Sequence, residues 1–414
     1  GPYRQSERKE IYVELARQLI QMGKAYYCFC SSERLDMVRK AQIAKKMNPR
    51  YDRTCRHLNP DEANARVARG ERFVVRFKIP DGGSITARDL LRGDITVNND
   101  ALDDSIIERS DGPALYHLAA MVDDHLMQIS HVIRGSEWLS TFPLHTHIIR
   151  ALGWNEPIFV HLSIFLKPSG KGKMSKRGSV DSIKDGHSIF LKDMKDLGYL
   201  PEAVVNWIAL MGWSYDDHTE YFTLQDLIDK FSLQNLNPAP AAINFTKLDH
   251  FNGLHIRNLD LARLAQEVKP FLDRAGHVVD DTKLGLMMPI VRERLVTLDD
   301  IIPFGGFFFQ ENIQLVPDDL IGSKMTAVES IQVIHKVLNI LREKPQLALA
   351  EEQLRNLAED MGYSVGQIFG IIRVAITGQK VSPPLFESMD IIGYEKVLER
   401  LHKALKILES LLQD

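Results

Sequence analysis

The chain has 414 residues, 44% hydrophobic and 26% charged, with a formal net charge of -4. That length exceeds one core and implies several domains, the composition is ordinary for a soluble globular protein, and the near-neutral balance excludes binding of polyanions through bulk charge alone. Three cysteines argue against a disulfide scaffold and for a reducing compartment, no apolar run is long enough for an expected membrane span, and residues 1–10 lack a signal-like apolar core, so the expected location is cytoplasmic, with a removed organellar targeting peptide left open.

Residues 1–60 carry thirteen Lys/Arg against six Asp/Glu, a basic face that could meet RNA or simply be solvated. Within them, 6–22 reads as an amphipathic helix, with Ile11, Ala16, Leu19 and Ile20 near a 3.6-residue period and Gly23 as its stop. A basic helix follows at about 32–47, and Pro60-Asp61-Glu62 opens a short one. Phe73–Ile79 reads as a strand ended by Pro80-Asp81-Gly82-Gly83, with further strands at 93–98 and 105–108. From 116 to 166 helical and apolar segments alternate: Ile129–Ile133, a helix around 139–151, then Phe159–Leu166, as in the later part of an open α/β sheet. Beyond Arg177 a helix begins at Pro201 and ends near Gly212. From about 255 the pattern is almost wholly helical, at 259–267, 282–296, 325–342, 349–359, 363–376 and 392–411, with Phe307-Phe308-Phe309 as packing between helices. Domain breaks are expected near 181–195 and 250–258.

The densest chemical signal is Lys173-Met174-Ser175-Lys176-Arg177, preceded by Gly170 and Gly172. No apolar period accounts for these cations. They form either an exposed basic turn or a mobile loop over a nucleotide triphosphate, whose oxygens gather charge during attack at the α-phosphorus. The GxxxxGK[ST] order of a P-loop is absent. Cys28-Phe29-Cys30 and, after 24 residues, Cys55-Arg56-His57 offer three sulfurs and an imidazole, a set that suits tetrahedral Zn2+. Two buried thiols and a surface histidine would give the same string. Asp123-Asp124 suits a divalent cation, or a helix cap and hydrogen bonds within the fold.

Lys173–Arg177 is the KMSKR motif of class I aminoacyl-tRNA synthetases, and the wider text resembles the glutamyl-tRNA synthetases. The resemblance is carried by Gly1-Pro2-Tyr3-Arg4-Gln5-Ser6-Glu7-Arg8, Ser110-Asp111-Gly112 followed by Tyr116-His117, Val122-Asp123-Asp124-His125-Leu126-Met127, and His131-Val132-Ile133-Arg134-Gly135. It continues through Ala151-Leu152-Gly153-Trp154, Leu200-Pro201-Glu202-Ala203 and Ser382-Pro383-Pro384-Leu385-Phe386-Glu387, in order over essentially the whole chain.

The resemblance implies an α/β fold: the Rossmann-like catalytic domain of class I synthetases, N-terminally truncated, with an α/β acceptor-end insertion and then all-helical anticodon-binding domains. In these terms 1–25 is the remnant of the first catalytic half, 26–112 the zinc-bearing insertion, 113–180 the second catalytic half with the KMSKR loop, 181–254 a stem-contact domain and 255–414 the anticodon-binding region. The implied reaction activates L-glutamate with ATP and passes it to the terminal ribose of tRNA(Glu), with tRNA(Gln) left open as a second acceptor. Lys176 then contacts the ATP phosphates with Lys173 and Arg177 assisting, Glu137 and Trp138 lie beside the nucleotide, and Mg2+ travels with ATP. Tyr116 and Arg134 fall on glutamate-binding positions. A guanidinium meets a carboxylate as a bidentate fork, and Arg134 follows Val132-Ile133 at a strand end, where α/β sheets display ligand groups. Taken alone, Tyr116 could equally be core packing and Arg134 a surface ion pair. Several family members carry zinc on this CxC and CxH arrangement, which implies one structural Zn2+ on Cys28, Cys30, Cys55 and His57, with Arg39, Lys40, Lys45 and Lys46 facing phosphates. A monomer with no membrane partner is expected.

Three departures stand out. The family's Pro-Thr before the Tyr-His pair is replaced by Pro113-Ala114-Leu115, and Ala120 occupies a place where some members put a polar side chain. The family's HIGH-type tetrapeptide, expected upstream of Gly1 within roughly 70 further residues, does not occur. The chain as given is therefore expected to be inactive in the first step, and a tRNA-binding protein that keeps the fold without catalysis is the alternative. A helical end argues against a glutaminyl enzyme, which would close in β-barrels, and against a truncated relative that modifies a tRNA base and lacks an anticodon-binding half. A zinc hydrolase fails for want of an open ligand position and a nearby base. Arg373 and Lys380, before Pro383-Pro384, are either RNA contacts or solvent-facing cations.

Overall fold

The computed structural model describes residues 2–112, 114–174, 187–343 and 347–412. They form two compact units, the first drawn from 1–174, 212–215 and 231–243, the second from 175–211, 216–230 and 244–414.

The first unit opens with α1 (Lys9–Gln21), whose Tyr12, Ala16 and Leu19 are buried, and β1 (Ala25–Cys28). α2 (Ser32–Ala44) is capped by Ser31, whose side chain accepts from Arg34 N, and α3 (Pro60–Ala68) starts on a proline with Asn59 as its cap. β2 (Val74–Phe77), β3 (Ser84–Asp89), β4 (Gly93–Asn98) and β5 (Ile106–Glu108) follow, then α4 (Tyr116–Leu126), β6 (His131–Gly135), α5 (Phe142–Ala151), β7 (Ile158–Leu162) and the short β8 (Phe165–Leu166).

One sheet has the order β1-β2-β5 with antiparallel pairing throughout. The second has the order β4-β3-β7-β6, in which the β3–β4 hairpin joins a parallel pair, β7 and β6. The register of this sheet sets Arg134 opposite His161 and Asp89 opposite Phe159, so three strand ends come out side by side. The core beneath them is Tyr12, Leu19, Phe77, Ile107, Leu118, Met121, Phe142, Ile148 and Phe159.

The second unit contains α6 (Leu191–Asp196), α7 (Pro201–Leu210) and α8 (Leu224–Lys230). The chain then returns to the first unit, where β9 (Ala241–Ala242) pairs in parallel with β8. From there only helices occur among the described residues: α9 (Phe245–Asn258), α10 (Leu261–Arg274), α11 (Asp281–Val291), α12 (Ile301–Gly305), α13 (Ala327–Glu343), α14 (Leu347–Met361), α15 (Val365–Thr377), α16 (Leu385–Ile392) and α17 (Tyr394–Ser410), with short 3-10 turns. Their starts carry the expected caps: Asn244, Asp260 and Asp280 each accept from a first-turn N–H, and Ser364 with Gln367 forms a capping box. One apolar core runs through Leu264, Val268, Met287, Val291, Ile334, Val337, Ile372 and Leu401, and includes Phe307 and Phe308 as expected. Gly198 cannot be replaced cheaply: its φ is +86°, and a Cβ there would lie 2.7 Å from the backbone nitrogens of Leu298 and Asp299.

The architecture is an α/β, Rossmann-like region with mixed sheets followed by a helical region. Several elements depart from the sequence reading. β1 and β3 went unread, α6, α8, α12 and α16 were missed, and residues 250–258, expected as a break, lie inside α9. The α9 face is polar in part because Asn252 is buried and works as a clamp, accepting from Leu200 N at 2.8 Å and donating to Val296 O at 2.6 Å. Among the described residues no helix is long and apolar enough to cross a membrane.

Candidate active site and cysteine cluster

Arg134 lies near the end of β6. Its Nε donates to His161 Nε2 at 3.0 Å, and the guanidinium lies 5.3 Å from the Phe159 ring centroid and 5.8 Å from that of Phe142. Among the described residues, both terminal nitrogens are buried without a hydrogen-bond partner. Burial lowers the Arg134 pKa, and the nearby Tyr116 hydroxyl opposes that shift. A buried guanidinium with an empty fork is costly unless an anion fills it, and a carboxylate matches the fork in shape and charge.

Tyr116 starts α4, and its ring stacks on Trp138 with centroids 4.3 Å apart. Trp138 and Glu137 sit on the 3-10 turn Ser136–Thr141 that follows β6. Tyr116, Arg134 and Trp138 thus come together at one place in the first unit. Beside them lie histidines that the sequence reading passed over: His117 Nδ1 is 2.9 Å from His145 Nε2. Burial pushes both imidazoles toward the neutral form, with the Arg134 charge adding to the effect.

The acidic pair divides. Asp123 is a hydrogen-bond hub within the fold, accepting from Arg8 Nε at 2.8 Å and Tyr12 Oη at 2.9 Å. Asp124 is driven up to about 6 by burial, which Arg134 opposes. Neither joins a metal-holding group among the described residues.

Lys173 and Met174 are described, whereas Ser175, Lys176 and Arg177 lie outside the described residues. The stem before them is a small hairpin: Met174 N donates to Phe165 O at 3.0 Å, Lys167 N to Gly172 O at 3.0 Å, and Leu166 bridges Lys173. Lys173 Nζ donates to Glu137 Oε1 at 2.9 Å, with the two side chains 55% and 44% exposed, and this bond holds the Glu137 carboxyl below its ordinary range.

In the cysteine cluster the structure brings Cys28, Cys30 and Cys55 together, with ligand atoms all within 4.8 Å of one another. Cys30 and Cys55 sulfurs are 3.6 Å apart, close to the ~3.8 Å that tetrahedral geometry gives sulfurs bound to zinc at ~2.3 Å. His57 is not part of the group. The 3-10 turn Thr54–His57 spends its inward positions on Cys55 and on Arg56, whose guanidinium is bound to buried Asp104, and His57 is left facing solvent. The fourth corner is taken by Tyr51, which the sequence reading missed: its hydroxyl is 3.3 Å from Cys28 Sγ and 3.6 Å from Cys30 Sγ, and accepts from Cys55 N at 3.0 Å. Facing the Cys55 thiol, the Cys28 thiol is drawn below its ordinary range. The donor set therefore fits a structural zinc ion as three sulfurs and a phenol oxygen.

In the helical unit, Arg373 is committed to the turn before α16: its Nη1 donates to Ser382 O, Ser382 Oγ and Pro383 O. Lys380 pairs with Asp319 at 2.8 Å.

Comparison with known proteins accounts for both units. The family of class I tRNA synthetase (E and Q) catalytic domains matches residues 1–250, and the anticodon binding domain family matches 263–405. A glutamate–tRNA ligase of Dehalococcoides mccartyi is 41% identical over 420 residues, covering 99% of this chain and 83% of the relative. One from Borrelia recurrentis is 40% identical over 419 residues, covering 99% and 81%. The crystal structure of a glutamate–tRNA ligase from Elizabethkingia meningosepticum, in complex with its amino acid, superposes with a TM-score of 0.86 at 30% identity, over 98% of this chain and 84% of that one. The synthetase of Elizabethkingia anophelis gives 0.84 at 30% identity.

These matches overturn the expectation that the chain is inactive. The catalytic-domain family aligns from residue 1, and nearly the whole chain follows the fold of a ligase solved with its amino acid bound. A buried, unfilled arginine fork, a stacked aromatic wall and a helical second unit thus find their common explanation in descent: the chain belongs to the glutamate–tRNA ligase family of class I aminoacyl-tRNA synthetases.

Proposed function

We propose that this protein activates L-glutamate with ATP and esterifies it to the 3′ end of tRNA(Glu). The observation that carries the reading is the Arg134 fork, whose buried terminal nitrogens have no hydrogen-bond partner among the described residues, beside the Tyr116–Trp138 stack. The fork takes a glutamate carboxylate in bidentate fashion, and the Tyr116 ring walls the pocket beside it. The substrate's other carboxylate attacks the α-phosphorus of ATP. The bond to pyrophosphate breaks, and glutamyl-adenylate forms without a side-chain nucleophile. The terminal ribose hydroxyl of tRNA then attacks the acyl carbon, giving glutamyl-tRNA and AMP.

Lys173 supplies charge to the polyphosphate once it leaves Glu137, with Lys176 and Arg177 as its partners in the same motif, and Glu137 and Trp138 lie beside the nucleotide. Cys28, Cys30 and Cys55 would hold Zn2+, with Tyr51 as the fourth donor where the sequence suggested His57. A zinc ion there would tie the end of β1 to the 51–57 segment and serve structure, not chemistry. Segment 26–112 receives the acceptor end, 113–180 completes the catalytic domain, 181–254 contacts the stem and 255–414 reads the anticodon. A cytoplasmic monomer is the simplest setting, and tRNA(Gln) is a possible second acceptor.

The test is glutamate-dependent adenylate formation and charging of tRNA(Glu) and tRNA(Gln) transcripts by the purified protein. Charging of tRNA(Glu) with glutamate is the expected result. Binding of tRNA(Glu) with neither activation nor transfer, with this chain and with an N-terminally extended one, would defeat the enzyme reading.

A further inference from the structure

Among the described residues, no carboxylate pairs with Arg134. Its Nε–H points at His161 Nε2 at 3.0 Å. A guanidinium can only donate, so His161 Nε2 must accept and the ring's single proton must sit on Nδ1. That proton has an acceptor: His161 Nδ1 is 2.7 Å from Asp89 Oδ2, which also accepts from His161 N at 2.9 Å. The other oxygen of Asp89 accepts from Leu91 N at 3.0 Å and Arg92 N at 2.9 Å. Arg92 Nε in turn donates to the His161 carbonyl at 3.2 Å. Asp89 is 4% exposed and His161 is fully buried against Phe142, with ring centroids 4.7 Å apart.

The line crosses three adjacent strand ends, Asp89 on β3, His161 on β7 and Arg134 on β6, and its members are 72 and 27 residues apart in sequence. Its logic is that of the Asp–His pair in a serine-protease triad, where the carboxylate fixes a tautomer and an orientation. The group being aimed here is a guanidinium fork.

We propose that Asp89 and His161 are positioning residues for the amino-acid substrate: Asp89 fixes the Nδ1–H tautomer of His161, and His161 in turn aims the Arg134 fork. This deepens the glutamate-ligase reading and rests on it. Neutral His161 accepts from Arg134 without neutralising it, so the whole positive charge stays available to the incoming carboxylate. A carboxylate at position 161 would occupy the fork's charge and compete with substrate. With Asn at 89, the donor pair from His161 or the donor pair from the 91–92 backbone must face an amide NH2. The relaxed arrangement returns the His161 proton to Nε2, where it opposes Arg134 Nε–H.

The experiment compares wild type with D89N, H161F and H161Q, whose amide oxygen can replace Nε2 as acceptor. Steady-state activation gives KM for glutamate and for ATP separately, calorimetry gives glutamate affinity, and 15N NMR of labelled histidine gives the tautomer. D89N and H161F should raise KM for glutamate by about 10- to 100-fold, with kcat and KM for ATP within about 3-fold, and H161Q should recover most of that loss. Wild-type His161 should show a proton on Nδ1. The proposal is overturned by a wild-type Nε2–H tautomer, by an H161F variant with unchanged glutamate KM, or by glutamate and ATP constants that worsen together. Should wild type fail to activate glutamate, the ligase reading falls by itself. The tautomer and the Arg134 Nε–H resonance, which must move in D89N, still decide the positioning line, and they do so even if H161F does not fold.

Discussion

Two arginines with buried guanidinium nitrogens, one in each unit, put the same side chain to opposite uses. Arg400 on α17 is 3% exposed, and its terminal nitrogens are filled by carbonyls: Nη1 donates to Ile376 O at 2.6 Å, and Nη2 to Phe307 O at 2.9 Å and Gln310 O at 2.7 Å. Arg134 has its Nε engaged and its terminal nitrogens empty. In both, burial pushes the guanidinium pKa down, to about 10 for Arg400. Burial alone therefore does not separate a staple from a site. What separates them is which nitrogens have partners. A fork turned to backbone carbonyls holds helices together, and a fork turned to nothing is waiting for a ligand.

The sharpest way to break the comparison is to remove each arginine and ask which property falls. R134A should lower kcat/KM for glutamate by roughly 10^3-fold, the worth of two charge-assisted hydrogen bonds at about 2 kcal/mol each, while its thermal midpoint stays within about 2 °C of wild type. Activity that survives R134A would remove the arginine from the site. R400M should do the reverse: about 3 kcal/mol lost from the unfolding free energy of the helical unit in urea titration, with glutamate activation intact in the folded fraction. An unaltered denaturation midpoint would show that the carbonyl contacts carry no net stability.

The cysteine cluster extends the contrast to an oxygen donor. Y51F should cut zinc affinity by about 10-fold, as a ligand or a close neighbour of one does, and H57A should leave bound zinc near one equivalent by elemental analysis. The opposite ranking would restore His57 to the ligand set. The smallest effect concerns Asp124, which burial raises to about 6. A carboxyl raised in the folded state stabilises while protonated, so its contribution is present below the usual carboxylate range and fades as pH rises through about 6. D124N should therefore melt slightly above wild type at pH 8 and level with it at pH 4. A difference of the same size at both pH values would exclude titration as its cause.

Much of the helical unit was legible because its helices bury a regular stripe, as Val397, Leu401, Ala404, Leu405 and Leu408 do on α17. α9 escaped because Asn252, Gly253 and His255 occupy its buried face. In the first unit Arg134 could be read from its place after an apolar pair, and the cysteines from their spacing. Tyr51 could not, since it lies outside both cysteine pairs and reaches them only through the turn that folds back over β1. Asp89 and His161 were unreadable for a different reason. β3 alternates buried Ile85, Ala87 and Asp89 with partly or fully exposed neighbours, so its last inward position reads as a polar turn residue. Its pairing with β7 joins positions some seventy residues apart, and no local pattern announces that register.

The exposed Lys173–Glu137 pair carries a kinetic consequence. A pair so open to water is worth about 0.5 kcal/mol, so bound and released forms differ by only about twofold, and roughly a third of molecules hold the ammonium free at any instant. Salt narrows that gap further. An arriving polyphosphate meets no locked gate. It draws on a population already present, and recruiting Lys173 lowers its apparent affinity by about half an order of magnitude.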